Sequence, residues 1–328
     1  MGKKHDEKET EGGRTYIQLS APPKQLSAPP EQKKDGGLAG VQQNTDRRNA
    51  YYYRIMIEGE KKVQEFLGKV KIKCVTYHIY WHSATQGQIE KHVPKKIDKG
   101  YEDKYKYVYH DQAGNEHEIC TVEWNTVKEK KNGVIISGKP KRNDEISDKT
   151  VSEGNTQRRV LYTNGDVVEY GIHPTKGHIW RLYASTGKDV ELVRMSDALN
   201  YNNRGISIRY TFSATQRRYT SPGAFAGFIG ALADCSLTLE TTGSCFQYGS
   251  CFPSSEHVNG KSIDTLYLND TDEQTFITAM HKFHFTKQIT GKNKKTFQYA
   301  IKEKVDPPLH NSHLHSGFDE TSVQEIKE

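Results

Sequence analysis

The chain has 328 residues, 34% of them apolar, and a formal net charge of +6, a length that suits two folded domains or one domain with a large accessory region. The charge is uneven, with 34 basic residues against 27 acidic ones before Ser196 and 13 against 14 from there on. The basic part has no compact stripe interleaved with stacking aromatics, which argues against nucleic acid, and no run approaches the ~20 apolar residues of a membrane span.

Residues 1–49 are charged, rich in Gly, Pro, Gln and Ser and poor in aromatics, and the hexapeptide QLSAPP occurs at 18–23 and 25–30. This composition predicts a disordered leader. Its first residues, MGKKHDEKETEGG, lack the apolar core of a secretory signal. The expectation is therefore a protein made in the cytoplasm.

Residues 50–195 predict a β-rich accessory domain. Short runs mixing Tyr, Val, Ile and Thr with charge recur at 51–57, 69–81, 105–110, 118–124, 133–138, 158–163, 167–172, 178–184 and 190–195. Turn signals separate them, among them DQAGN at 111–115 and TNGD at 163–166, whose Asn-Gly pair suits a tight hairpin. The histidines here (His78, His82, His92, His110, His117) show no metal-ligand spacing.

Residues 196–328 change character and predict an α+β domain, an antiparallel sheet with flanking helices. ISIRYTFS, LTLETT and SIDTLYL read as strands. SPGAFAGFIGALADC reads as a buried helix with Ser221 as N-cap and Pro222 in the first turn. A capping box of Thr271 and Gln274 is expected to open a second helix running to His284. FTKQITG and TFQYAIKE read as a hairpin. Five cysteines without a CxxC pair argue against a cysteine zinc site. Cys245 and Cys251 flank a short loop, as a disulfide or as two thiols.

Two segments carry chemistry: SEHVNGKSID (255–264) and HNSHLHSGF (310–318). A catalytic zinc takes three nitrogen or oxygen ligands and keeps one position open. Gly260 permits a sharp turn between His257 and Asp264. His313 and His315, two apart, face the same side of an extended chain.

These residues resemble the zinc peptidases that include lysostaphin-type enzymes, D-Ala-D-Ala peptidases and the hedgehog N-terminal domain. Ser255, His257, Gly260 and Asp264 match the first motif of that group in register. His310, His313 and His315 are most similar to the second motif of penicillin-insensitive murein endopeptidases. The resemblance covers about 120 residues. It implies zinc ligands at His257, Asp264 and His315, with His313 and His310 handling protons or the tetrahedral intermediate. Many D-Ala-D-Ala peptidases carry an acid three before the last ligand; here that residue is Ser312. An Arg or Gln often supports the carbonyl oxygen in this group, and Gln216, Arg217 and Arg218 are on offer.

The expected function is a metallopeptidase that cuts peptidoglycan peptides, an antibacterial effector exported by a type VI or phage-tail-like secretion system. It would act in the periplasm or wall of a target bacterium, with an immunity protein and a component of the secretion apparatus as partners. The alternatives are a phage-type lysin and a non-catalytic, zinc-stabilised binding or structural protein.

Overall fold

In VTYHIYW the residues Tyr77 and Ile79 are buried and their neighbours lie more open, the alternation of a strand with one face on a core. That strand, β1 (Val75–Trp81), opens the part of the chain that the computed structural model describes, residues 72–328. The expected leader and the strand candidate at 51–57 lie outside it. In chain order there follow β2 (Gly87–Val93), β3 (Lys104–His110), β4 (Glu116–Lys130), β5 (Val134–Ile136), β6 (Glu145–Glu153), β7 (Thr156–Tyr162), β8 (Val167–His173), β9 (Gly177–Tyr183) and β10 (Ser185–Arg194). Then come β11 (Ala198–Asn203), β12 (Ile206–Phe212), β13 (Tyr219–Thr220), helix α1 (Pro222–Cys235), β14 (Thr238–Gly243) and β15 (Ser262–Leu266). Helix α2 (Asp270–Lys282), β16 (Lys287–Thr290), β17 (Ala300–Lys302), β18 (His313–Gly317) and β19 (Val323–Lys327) complete it.

Three sheets form. The first has the order β13-β10-β4-β3-β1-β2-β19, the second β11-β12-β14-β15-β18-β16-β17, and the third β5-β9-β8-β7-β6. Helix α1 is apolar all round and sits between the first two sheets, packing on β1, β2, β3 and β10 from one and β12 from the other. A helix without a polar face has to be enclosed in this way. Gly230 and Gly227 let α2 and its following turn come close: a Cβ at Gly230 would meet the Phe283 ring at 2.4 Å, and one at Gly227 the Phe283 carbonyl oxygen at 2.7 Å.

The α+β expectation is overturned. Strand accounts for 48% and helix for 13%, with two α-helices among the described residues, so the class is mostly β. The second sheet is mixed rather than antiparallel, since β12 pairs β14 in parallel and β16 pairs β17 in parallel. The segments expected to form a hairpin are those two parallel neighbours. Asn269, not Thr271, caps α2, its side chain accepting from the N–H groups of Thr271 and Asp272. The predicted cap of α1 is present: Ser221 Oγ accepts from Ala224 N–H.

Residues 72–328 form one compact unit. The boundary expected at 195/196 runs through a shared core. Tyr77, Ile79 and Tyr107 pack in one cluster with Phe225, Phe228 and Phe276. Strand β19 extends the first sheet by pairing in parallel with β2. Among the described residues no helix is long and apolar enough to cross a membrane.

Candidate metal centre

His257 ends a loop that begins after β14. Its Cys245, Phe246, Cys251, Phe252 and Val258 are buried against Val167, Ile179, Tyr183 and Leu192 of the β-rich region. Both cysteines are thiols, Cys245 donating to Tyr219 O and Cys251 to Ser254 O. Polar anchors fix the loop at several points. Tyr183 Oη donates to Ser254 O at 2.6 Å and Gly133 N–H to Ser255 O at 2.9 Å. Buried Glu169, paired with Arg159, accepts from Ser250 Oγ and Phe252 N–H. Asn259 bonds both backbone groups of Lys130, at 2.7 and 2.9 Å.

The turn after His257 is tight. Asn259 has φ +61° and Gly260 has φ +68°. A Cβ at Gly260 would lie 2.4 Å from Thr220 Cα, so this position requires glycine on two counts. Gly260 O then accepts from Ser221 N–H and Thr220 Oγ1. Asp264 follows on β15, directly across from His315 on β18. His313 lies two residues earlier on the same face.

These elements bring His257, Asp264 and His315 into one cluster, all three 3% exposed. His257 Nε2 lies 2.9 Å from His315 Nδ1 and 3.2 Å from Asp264 Oδ1, and His315 Nδ1 lies 3.1 Å from the same oxygen. Donors around a tetrahedral zinc at ~2.0–2.1 Å stand about 3.3 Å apart. The triangle therefore has the size of a ligand set, and the three residues can hold a metal ion. Without an ion, one N–H of His315 Nδ1 can be shared between His257 Nε2 and Asp264 Oδ1, whereas two protonated ring nitrogens would crowd at 2.9 Å. With Nε2 directed inward, the other ring nitrogen of His257, Nδ1, is buried without a partner.

Burial pushes the His257 imidazole down to about 4, against the pull of the Asp264 carboxylate. Burial alone would raise Asp264. The charges of His257 and His313 and the hydrogen bonds from His257 and His315 outweigh it and hold the carboxyl well below its ordinary range. Both effects leave lone pairs in place for a cation.

Asp264 has a second side. His313 Nε2 is 3.5 Å and an Arg217 guanidinium nitrogen 3.9 Å from Oδ2. Ser312 Oγ, at the position where relatives of the resembled group carry an acid, is 3.2 Å from His313 Nδ1. Arg217 is the member of TQRRY that reaches the centre; Gln216 and Arg218 line a separate cleft of about 210 Å³ with Arg159 and Tyr248. The His310 ring centre stands 5.2 Å from that of His313 and 5.5 Å from that of His315. Burial, then the charge of His313, lowers the pKa of His310.

Glu303 was not foreseen. It is buried, accepts the N–H groups of Leu309 and His310, and lies 3.2 Å from His310 Nδ1 without hydrogen-bond alignment. Those N–H groups hold its carboxyl below the usual range although burial opposes them. Tyr267 Oη donates to His310 O, clamping the same turn from the other side. No short motif links Glu303 to His310, so only the folded loop reveals the pair. A larger cleft of about 480 Å³, lined by Tyr77, Glu191, Ser221, Lys261 and Glu320, contains none of the candidate ligands.

The chain matches no protein-family model, no curated protein and no solved structure.

Proposed function

We propose that the chain is a zinc-dependent peptidase acting on the peptide part of peptidoglycan. The observation that supports it most is the two-sided environment of Asp264. One oxygen completes a triangle of three metal-sized contacts, and the other faces His313 and Arg217. Zinc bound to His257, Asp264 and His315 would supply Lewis acidity, lowering the pKa of water and polarising a carbonyl group. His313, more exposed than the three ligands, is the group placed to move a proton to or from the reacting peptide. Arg217, 3.9 Å from Asp264 Oδ2, is a fixed positive charge beside the cluster that would offset negative charge developing on a carbonyl oxygen.

Within this reading the chain is an antibacterial effector that reaches the wall of a target bacterium through a specialised secretion system, and an immunity protein protects the producer. The direct test is to incubate the purified protein with peptidoglycan, with and without chelator, and to analyse the fragments. Chelator-sensitive peptide cleavage supports the proposal. Intact peptidoglycan in the presence of stoichiometric zinc would reject it. Directing the chain to the periplasm of a susceptible cell should be toxic, and keeping it in the cytoplasm should not.

One observation favours a second reading, a zinc that only stabilises the fold. All three ligands are 3% exposed, as closed structural sites are. In that case chelation would lower the melting temperature and no cleavage would be seen.

A further inference from the structure

The edge strand β17 and the loops on either side of it form a surface of unusual composition. Ile301 is 64% exposed, Val305 53% and Leu309 38%. Lys292, Lys295, Lys302 and Lys304 are exposed in the same stretch of chain, and Lys294 is half-buried with its ammonium 3.9 Å above the Tyr267 ring. The stretch 292–309 holds two acids and no arginine. Glu303 is buried and occupied by backbone N–H groups, and Asp306 pairs with Lys292 at 2.6 Å. Among the described residues no acid stands within ion-pair distance of Lys294, Lys295, Lys302 or Lys304.

The two loops are one structural piece. Lys292 and Asp306 tie them together, Asn293 N–H donates to Asn311 Oδ1, and the Leu309 and His310 N–H groups return to Glu303. Ile301 lies on the last strand of the second sheet, and among the described residues no further strand pairs along its outer edge.

We infer that this surface docks the protein onto an anionic lipid membrane. Aliphatic side chains enter the boundary between headgroups and acyl chains while the surrounding lysines meet lipid phosphates. Composition separates this occupant from a protein partner. Protein interfaces are enriched in aromatic residues and arginine and depleted in lysine. This surface is rich in lysine and aliphatics and has no arginine. Tyr299, 41% exposed and stacked on the His281 ring, is an amphipathic side chain that suits a bilayer interface, and a long lysine stem can itself lie along an apolar boundary. The inference stands apart from the peptidase reading, because it uses none of the three candidate ligands.

The test is co-sedimentation of the full chain with phosphatidylglycerol–phosphatidylcholine vesicles and with phosphatidylcholine vesicles. Binding is expected to the anionic vesicles, weakening as salt rises. The pair Lys302→Gln and Lys304→Gln should weaken it about tenfold or more, because each lysine near an anionic surface contributes several-fold. The pair Ile301→Ser and Val305→Ser should weaken it at all salt concentrations, with an unchanged melting temperature showing that the fold is intact. Absence of binding to anionic vesicles overturns the inference. So does binding that neither pair of variants alters, which would place the contact elsewhere on the chain. Equal binding to both vesicle types removes the role of charge and overturns it as well.

Discussion

At the residue scale the centre divides into groups that would hold an ion and groups that would work beside it, and substitutions separate the two. His257→Ala and Asp264→Ala each remove one corner of the triangle and should abolish stoichiometric zinc, read by metal analysis of the purified protein. His315→Ala should do the same. His313→Ala leaves the triangle whole, so zinc should stay near one per chain while peptidoglycan cleavage falls ~100- to 10,000-fold, the range of a lost acid–base group. If His313→Ala loses zinc and His315→Ala keeps it, the two roles are exchanged. Asn259 lies one level further out. Its side chain satisfies both backbone groups of Lys130, and the residue is 3% exposed. Asn259→Ala should cost roughly 2–4 kcal/mol in urea unfolding, because two buried backbone groups lose their partners. These residues differ in how readable they are. The candidate ligands sit in two short segments that their His, Gly and Asp residues and the resemblance these carry bring to attention. Asn259 and Tyr183 act through contacts with residues far away in the chain, Glu303 by closing a loop onto Leu309 and His310, and no local pattern marks them.

At the element scale, both helices and the strands with runs of Tyr, Val and Ile were legible, whereas the polar strands and the pairing of strands were not. The strands β1, β3, β7, β8 and β9 carry clear runs of Tyr, Val and Ile. β6 (EISDKTVSE) is an edge strand with much of its surface open, and β2 and β19 carry Glu, Gln and Lys through their length, so neither period nor apolarity announces them. The parallel pairing of β16 with β17 was hidden because sequence proximity favours a hairpin, whereas β18 takes the other side of β16. Helix α2 also holds an ionisable group whose effect depends on pH. Burial pushes the Glu273 carboxyl from its ordinary 4.5 up to about 7, although its Oε2 accepts the Leu268 N–H. A folded-state pKa above the unfolded value means full stability below about 4.5, lost progressively as pH rises through about 7. Glu273→Gln keeps the acceptor for Leu268 and removes the buried charge. The variant should match the parent near pH 4 and exceed it by roughly 2 kcal/mol at pH 8, from ~1.4 kcal/mol per pKa unit less some screening. Chemical denaturation at the two pH values measures it, and a constant difference would refute the burial explanation.

At the scale of the whole molecule, the strands before residue 196 are part of the scaffold of the candidate metal centre rather than a separate module. The His257 loop is anchored by Lys130, Gly133, Glu169 and Tyr183, all from that region. Helix α1 lies against β1 and β3 on one side and β12 on the other, so removing the first sheet would open an apolar helix to water. Strand β19 would lose its ladder with β2. A fragment of residues 196–328 contains every candidate ligand and the full resemblance to zinc peptidases, yet it lacks each of these supports. It should fail to fold cooperatively and should not hold stoichiometric zinc, as judged by thermal unfolding and metal analysis. Supplying residues 72–195 as a separate chain in the same cell should restore both properties in part, because the missing contacts are noncovalent. A fragment 196–328 that melts cooperatively with one bound zinc would show that the contacts to Lys130, Gly133, Glu169 and Tyr183 are dispensable. The earlier strands would then be an attachment to a self-sufficient metal domain.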